Sequence, residues 1–182
     1  MADVEFRPVT ADDVRYVVKH IAGDNERELL ATGLTKKYFE YDFLKGLKKS
    51  TYTCGMWVDG RCQMVSGVVP DFLDGKRGVL WLIFTEECKE RFWVKIARYS
   101  KMVLGCYLRR FDAVYNWVNA DNVKIRRWHR WMGYRETYVG KVGCFGVEHY
   151  YYEISGTRYE GQGTRYEGQG TRYKGQGFRN KN

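Results

Sequence analysis

The stretch NVKIRRWHRWMGY, from Asn122 to Tyr134, decides how the rest of this 182-residue sequence is interpreted. It holds four lysine and arginine residues, two tryptophans and one histidine within thirteen positions. Asn122 suits a helix cap and Gly133 suits a helix stop, so the stretch predicts one short helix between them. Such a helix could bind nucleic acid, belong to an active site, or cover a core with a basic outer face.

The predicted helix has two different faces. The face that we expect to pack on a sheet is apolar and consists of Ile125, Trp128 and Met132. The face that we expect to point outward is basic and aromatic and consists of Lys124, Arg127 and Trp131. We interpret the outward face as a solvated surface or as a partner surface for polyanions or acidic proteins. The sequence contains no named DNA-binding module, so base-specific DNA recognition is not expected.

Composition indicates one globular domain with a surplus of basic residues. Apolar residues make up 44% of the chain and aromatic residues 16%, which suffices for a core. Residues 156–182 hold six basic and two acidic side chains, so they contribute +4 of the net charge of +9 and the remainder contributes +5. This surplus permits nonspecific contact with nucleic acid through the predicted helix and the C-terminal segment.

Cysteine and histidine usage argues against a metal site. The five cysteines include no C-x-x-C pair, and the three histidines lie far apart in the sequence. We therefore expect ordinary thiols in a reducing compartment. The start MADVEF does not resemble a signal peptide, and the longest apolar run, GVLWLIF, is too short to cross a bilayer. These features predict a soluble protein with no membrane span that is intracellular or is delivered by a route other than secretion.

Helical and strand patterns alternate up to about residue 155. Thr10 and Asp13 form a capping-box pattern before a helix, and two more helical patterns precede residue 50. Asp59-Gly60 joins two β-prone runs as a type I′ hairpin turn. The run GVLWLIF (78–84) is apolar on both faces, which predicts the central strand of a sheet. A long helix, the strand DAVYNWVN, the quoted helix and a last pair of strands follow.

The C-terminal segment, residues 156–182, differs from the rest. It consists of GTRYEGQ twice, then GTRYKGQ and GFRNKN, with glycine at two of every seven repeat positions. Polar, glycine-rich repeats cannot offset the entropy of ordering, so we predict disorder there and one α/β domain over residues 1–155. The tail is either a neutral soluble extension or a multivalent contact segment for nucleic acid or capsid protein.

The order of elements resembles the GNAT acyltransferase fold. GNAT proteins often carry Asn-x-x-Ala-Ile-x-Leu-Tyr-x-x-x-Gly-Phe across the short helix after the fifth strand. Here Asn122 starts the pattern, Ile125 and Trp128 occupy apolar positions, and Gly133-Tyr134 occupies the Gly-Phe position. The resemblance implies a mixed central sheet flanked by helices and, in an active enzyme, acetyl-CoA as the cofactor.

A closer resemblance covers nearly all of residues 1–155. The segments HIAGDNERELLATG, LWLIFTEE and YNWVNADNVKIRRWHRWMGY look like the small GNAT-like internal virion proteins of short-tailed, autographivirus-type phages. This resemblance implies a role in virion morphogenesis, with other phage virion or assembly proteins as partners. It also implies a location in the host cytoplasm during assembly or in the virion interior.

The resemblance also implies where a cofactor would bind. An active GNAT enzyme holds the cofactor pyrophosphate on backbone N–H groups at the start of its long helix, in a loop of the type Arg/Gln-x-x-Gly-x-Gly/Ala. This sequence has TEECKERF there, without a glycine between Gly78 and Gly105. The carboxylates of Glu86, Glu87 and Glu90 stand where two phosphates would bind. We therefore expect a degenerate site without a cofactor, or acetyl-CoA if the chain is an enzyme.

Further site residues follow from the same resemblance. The tyrosine that would protonate the leaving CoA thiolate corresponds to His129, which could act as an acid near neutral pH. The alternative, which we favour, is a histidine on the helix surface or half-buried beside Trp128. If the two central strands splay, the backbone that could pair with a pantetheine arm, close to Asn122, is that of Leu82, Ile83 and Phe84.

Three classes of function remain open. The leading hypothesis is a non-catalytic phage internal virion or morphogenesis protein built on a GNAT-like fold. The alternative is an acetyl-CoA-dependent N-acyltransferase that acts on a host or phage protein. A nonspecific nucleic-acid binder is the third.

Overall fold

The computed structural model describes residues 3–156. The heptad repeats that follow Gly156, and the disorder predicted for them, lie outside the described residues. Helices and strands follow one another in the order β1 (Val4–Arg7), α1 (Ala11–Lys19), α2 (Gly23–Ala31), α3 (Lys36–Lys49), β2 (Tyr52–Val58), β3 (Arg61–Pro70), β4 (Arg77–Phe84), α4 (Glu86–Arg91), α5 (Trp93–Leu108), β5 (Ala113–Asn119), α6 (Val123–Met132), β6 (Arg135–Val142) and β7 (Val147–Ser155).

A single seven-stranded sheet organises the fold, in the order β1-β2-β3-β4-β5-β7-β6. Every neighbouring pair is antiparallel except β4 and β5, which run parallel. The prediction of a mixed α/β domain is confirmed, and β4, the apolar run, is the central strand. A parallel neighbour requires a crossover connection, which α4 and α5 provide.

The short-range turn and cap signals are also confirmed. Asp59 and Gly60 both have positive φ, 48° and 77°, as a type I′ turn requires. Thr10 caps α1 and forms a capping box with Asp13. The predicted cap of α6 is present, since the side chain of Asn122 accepts a hydrogen bond from the N–H of Ile125.

The predicted long helix, whose apolar spacing begins at Phe92, is present as α5, and the short helix α4 precedes it. The backbone leaves helical geometry at Phe92, with φ −123° and ψ 10°, so α4 ends there and α5 begins at the next residue. Phe92 is buried with Cys88 and Ile96, while the next side chain, Trp93, packs on Phe84 at 5.9 Å between ring centroids. Adjacent residues of one straight helix point about 100° apart, so the break lets both aromatic rings reach the core.

Helices cover the sheet on both faces. One face packs against α1 and α3 through a core that includes Val14, Val17 and Trp81. The other face packs against α5 and α6, where Leu104 and Met132 lie on the strands. Side chains of successive strand residues alternate between these faces. The elements on the α5–α6 face are those that surround the candidate site.

Three of the five cysteines are buried thiols. Burial raises the pKa of Cys54, Cys62 and Cys88 to about 12, whereas Cys144 is exposed.

Among the described residues, no helix is both long enough and apolar enough to cross a membrane. Within residues 3–156, no group of three or more His, Cys, Asp or Glu side chains is arranged to hold a metal ion.

The close packing of β3 against Trp81 generates a stability prediction. A Cβ atom added at Gly67 would lie 2.7 Å from the Trp81 ring and 2.7 Å from the Ser50 hydroxyl, so neighbouring groups must move. We expect Gly67→Ala to lower the free energy of unfolding by roughly 1–3 kcal/mol, measured by urea denaturation. Gly75→Ala is the control, because a Cβ there meets nothing within 4 Å. Equal stability of the two variants would contradict the packing described.

Candidate functional site

The two central strands separate after a short paired region. Parallel pairing between β4 and β5 covers only Arg77–Val79 with Ala113–Tyr115. Beyond that region β4 continues to Phe84 beside β3, and β5 continues to Asn119 beside β7. The separated ends leave an opening, here called the strand gap. The predicted splaying of these strands is therefore present.

The β4 side of the strand gap is partly occupied by the chain itself. The N–H of Ala22 donates to the carbonyl of Phe84 at 2.8 Å, and the N–H of Phe84 donates to Asn25 Oδ1 at 3.1 Å. Alternate residues of a strand direct their backbone groups to opposite edges, so Ile83 faces β3 and Leu82 faces the gap. Of the three residues predicted to pair with a pantetheine arm, only Leu82 has backbone N–H and C=O groups that face the gap and are not hydrogen-bonded to Ala22 or Asn25.

The β5 side of the strand gap is held by Glu28 of α2. Its carboxylate accepts hydrogen bonds from the N–H of Asn119 and, at 2.8 Å, from Nδ2 of Asn122. Asn122 Oδ1 already accepts from the N–H of Ile125, so both ends of the Asn122 amide are engaged. Burial raises the pKa of Glu28, and the two hydrogen bonds oppose that rise. Asn122, predicted near a cofactor, therefore serves as a cap and a link to α2.

Glu28 was missed by the sequence analysis. It lies in the middle of a polar helix, and its two partners are 91 and 94 residues away in the sequence. Local spacing carries no signal for contacts of that range. Together with Ala22 and Asn25, Glu28 makes α2 a strap that joins the ends of β4 and β5.

The position expected for a pyrophosphate is filled by the start of α4. The N–H of Glu86 donates to the carbonyl of His20 at 3.1 Å, and Thr85 Oγ1 accepts from the N–H of Cys88 at 3.1 Å. The N–H of Lys89 donates to the carbonyl of Thr85 at 3.1 Å. The N–H groups of Glu86, Cys88 and Lys89 at this turn are therefore hydrogen-bonded within the protein.

Carboxylates occupy the same position. Glu86 Oε2 accepts from the N–H of Gly23 at 2.7 Å, and Lys89 lies 2.9 Å from the other oxygen. These two contacts, the hydrogen bond first, lower the pKa of Glu86, so the group is anionic at neutral pH. Glu87 forms an ion pair with Arg91 at 2.6 Å. Since an anion of the chain already lies at this turn, the residues present do not fit the pyrophosphate of acetyl-CoA.

His129 is buried rather than open to the strand gap. It is 2% exposed, and its ring lies against the rings of Trp128, Tyr134 and Tyr152 at centroid distances of 4.8 to 5.0 Å. Nδ1 is 2.9 Å from the carbonyl of Ile125, and Nε2 has no hydrogen-bond partner among the described residues. Burial lowers its pKa to about 4, so it is neutral at physiological pH. A buried neutral histidine suits packing and not proton donation to a thiolate.

The outer face of α6 borders a groove. The groove lies between α5 and α6, has a volume of about 520 Å³, and is here called the α5–α6 groove. Its lining includes Trp93, Val123, Lys124, Arg127, Trp128 and Trp131. The three residues predicted to point outward thus lie together, and Trp131 is 51% exposed. Trp128 was predicted to point inward but is only half-buried, because its ring contributes to both the core and the groove wall.

Comparison with known proteins identifies the architecture. No family model matches the sequence, and a search of curated proteins finds no match. Solved structures do match. The spermidine N-acetyltransferase of Vibrio cholerae, solved with CoA and spermine, aligns at TM-score 0.60 and 10% identity, over 86% of this chain and 98% of its own. The chain has the GNAT acetyltransferase fold.

Other GNAT structures agree. An acetyltransferase of the GNAT family from Bacillus anthracis aligns at TM-score 0.60 and 13% identity, over 86% of this chain and 98% of its own. An N-acetyltransferase from Staphylococcus aureus aligns at TM-score 0.62 and 7% identity, over 85% of this chain and 99% of its own. The GNAT-like fold predicted from the order of elements is confirmed. At such identities the likeness extends to the fold alone.

The burial of His129 predicts a specific pH dependence. An unfolded histidine takes up a proton near pH 6.5, whereas the buried one does so near pH 4. Its contribution to stability is therefore complete above pH 6.5 and is lost as the pH falls to 4, by about 3 kcal/mol at about 1.4 kcal/mol per pH unit. We expect His129→Phe to remove this part of the pH dependence, measured by urea unfolding from pH 7 to 4. An unchanged pH dependence would mean that the folded protein protonates His129 readily.

Proposed function

We propose that this chain is a non-catalytic GNAT-fold protein that serves the assembly or the interior of a phage particle. One observation carries the non-catalytic part: the chain's own groups fill the position of the cofactor pyrophosphate. Glu86 places a carboxylate there that is bonded to Gly23 and Lys89, and the N–H groups of Glu86 and Cys88 have acceptors within the protein. A second anion at this turn would meet charge repulsion and would have to displace these hydrogen bonds.

The burial of His129 and the strap formed by α2 support the same proposal. Because the pKa of His129 is lowered, this residue is not a suitable proton donor to a thioester cofactor. The backbone N–H and C=O of Phe84 are also unavailable, since they already bond to Asn25 and Ala22. The role in a virion rests on the sequence resemblance of residues 1–155 to small internal virion proteins. In this proposal the partners are other phage virion or assembly proteins, met in the host cytoplasm or inside the particle.

A second candidate is an acetyl-CoA-dependent N-acyltransferase that acts on a host or phage protein. Two observations favour it: the strand gap is present, and the matching solved structures include acetyltransferases, one of them in complex with CoA. The fold likeness favours this candidate, whereas the residues of the site favour the first. In this candidate the backbone of Leu82 would pair with the pantetheine arm. A general acid other than His129 would be needed to protonate the leaving CoA thiolate.

Acetyl-CoA affinity separates the two candidates. We expect the full-length protein to bind acetyl-CoA with a dissociation constant of about 1 mM or weaker, because each unfavourable charge near the pyrophosphate costs on the order of 1 kcal/mol. Isothermal titration at low ionic strength measures this, with a GNAT enzyme that has a glycine-rich loop as the positive control. Micromolar affinity, or acetyl transfer to a protein acceptor, would establish the acyltransferase candidate instead.

The virion role has its own test. We expect mass spectrometry of purified phage particles and of assembly intermediates to detect this chain at a constant ratio to the structural proteins. A chain that is abundant in infected cells but missing from particles and from intermediates would contradict the proposal. This result is independent of acetyl-CoA affinity, so each half of the proposal can fail by itself.

A further inference from the structure

The two helices that border the α5–α6 groove carry basic side chains and no acidic ones. Lys95, Arg98 and Lys101 lie on α5, and four further cations lie on α6. Two of these four, Arg126 and Arg130, form ion pairs with Glu136. This leaves an excess of positive charge at the groove, to which Lys124 and Arg127 contribute.

Lys124 and Arg127 are the groove cations most available to a ligand. Both are exposed, and within residues 3–156 no carboxylate lies within 4 Å of either cationic group. Cations gathered on one face favour anionic partners and raise the rate at which such partners associate. The charge of the groove therefore indicates an anionic occupant.

Three indole rings accompany these cations. Trp93 and Trp128 lie 6.0 Å apart between centroids, and Trp131 stands at the open end. The Lys124 ammonium lies 4.4 Å from the centre of the Trp93 ring, and the Lys101 ammonium lies 4.2 Å from that of Trp131. Each of these two rings thus has an ammonium group over one face, and both rings line the groove. Indole rings and cations thus lie side by side at the groove, so that surfaces for stacking are next to positive charge.

We propose that the α5–α6 groove binds single-stranded nucleic acid, with bases stacked on the indoles and phosphates bound by Lys124 and Arg127. Single strands expose both faces of each base, whereas a duplex hides them, so only single strands use cations and stacking surfaces together. An acidic peptide would match the charge but would leave the tryptophans without flat partners. The groove volume of about 520 Å³ suits a small ring system, and its open side lets the strand continue. This inference goes beyond the proposed function and does not depend on it.

Fluorescence anisotropy of the full-length protein with a labelled oligothymidylate of twenty nucleotides tests the proposal. We expect Trp131→Ala to weaken binding about ten-fold through lost stacking. Arg127→Ala should reduce the slope of log affinity against log salt by about 0.7, the value for one phosphate contact in a single strand. The controls are Trp117→Ala, an exposed tryptophan on the other sheet face, and Arg61→Ala, an exposed arginine at the β2–β3 hairpin. Both controls should bind as the parent does.

Further outcomes decide the identity of the occupant. A duplex of the same length should bind more weakly than the single strand at equal salt. Equal binding of duplex and single strand, or equal losses in the groove and control variants, would overturn the proposal. Displacement of the oligonucleotide by polyglutamate as readily as by unlabelled oligothymidylate would mean that only charge is recognised, and would overturn it too. Displacement by micromolar coenzyme A would assign the groove to that nucleotide instead.

Discussion

The fold depends on the early separation of two parallel strands. β4 and β5 pair over three residues only, and the backbone groups beyond that point need other partners, since a buried group without one costs about 1–3 kcal/mol. The chain supplies these partners from α2: Ala22 and Asn25 bond to Phe84, and Glu28 bonds to Asn119. The position of α2 follows from this requirement. The carboxylate of Glu86, at the start of α4, also accepts a hydrogen bond from the first N–H of α2.

Much of this architecture can be predicted from local signals. The Asp59-Gly60 turn, the Thr10 cap and the Asn122 cap depend on interactions within a few residues, so their patterns are visible in the sequence. The central place of β4 follows from apolar residues on both of its faces. The predicted order of helices and strands was sufficient to indicate the GNAT fold, although sequence identity with the matching structures is only 7% to 13%.

The details of the site could not be predicted in the same way. A glutamate on a polar helix has the same sequence pattern whether it faces water or, like Glu28, accepts a hydrogen bond from the end of a strand 91 residues further on. The family pattern assigned the acid position to His129, whose burial depends on Tyr134 and Tyr152, which other strands and turns bring to it. Position in a motif is a local property, whereas accessibility and pKa are properties of the whole fold.

The carboxylate of Glu86 on the N–H of Gly23 has a consequence for how this protein can change by mutation. A cofactor phosphate at this turn would compete with the Glu86 carboxylate for the first turn of α2. The carboxylate already accepts a hydrogen bond from the N–H of Gly23, at 2.7 Å. A glycine at position 86 would remove an acceptor from α2 and a good helix former from α4 before any phosphate could compensate. A single mutation toward a phosphate-binding loop therefore lowers the stability of the protein. Its affinity for phosphate would rise only when several such mutations are combined. Variants of this protein are accordingly expected to retain the acid at position 86 even where other residues of the turn change.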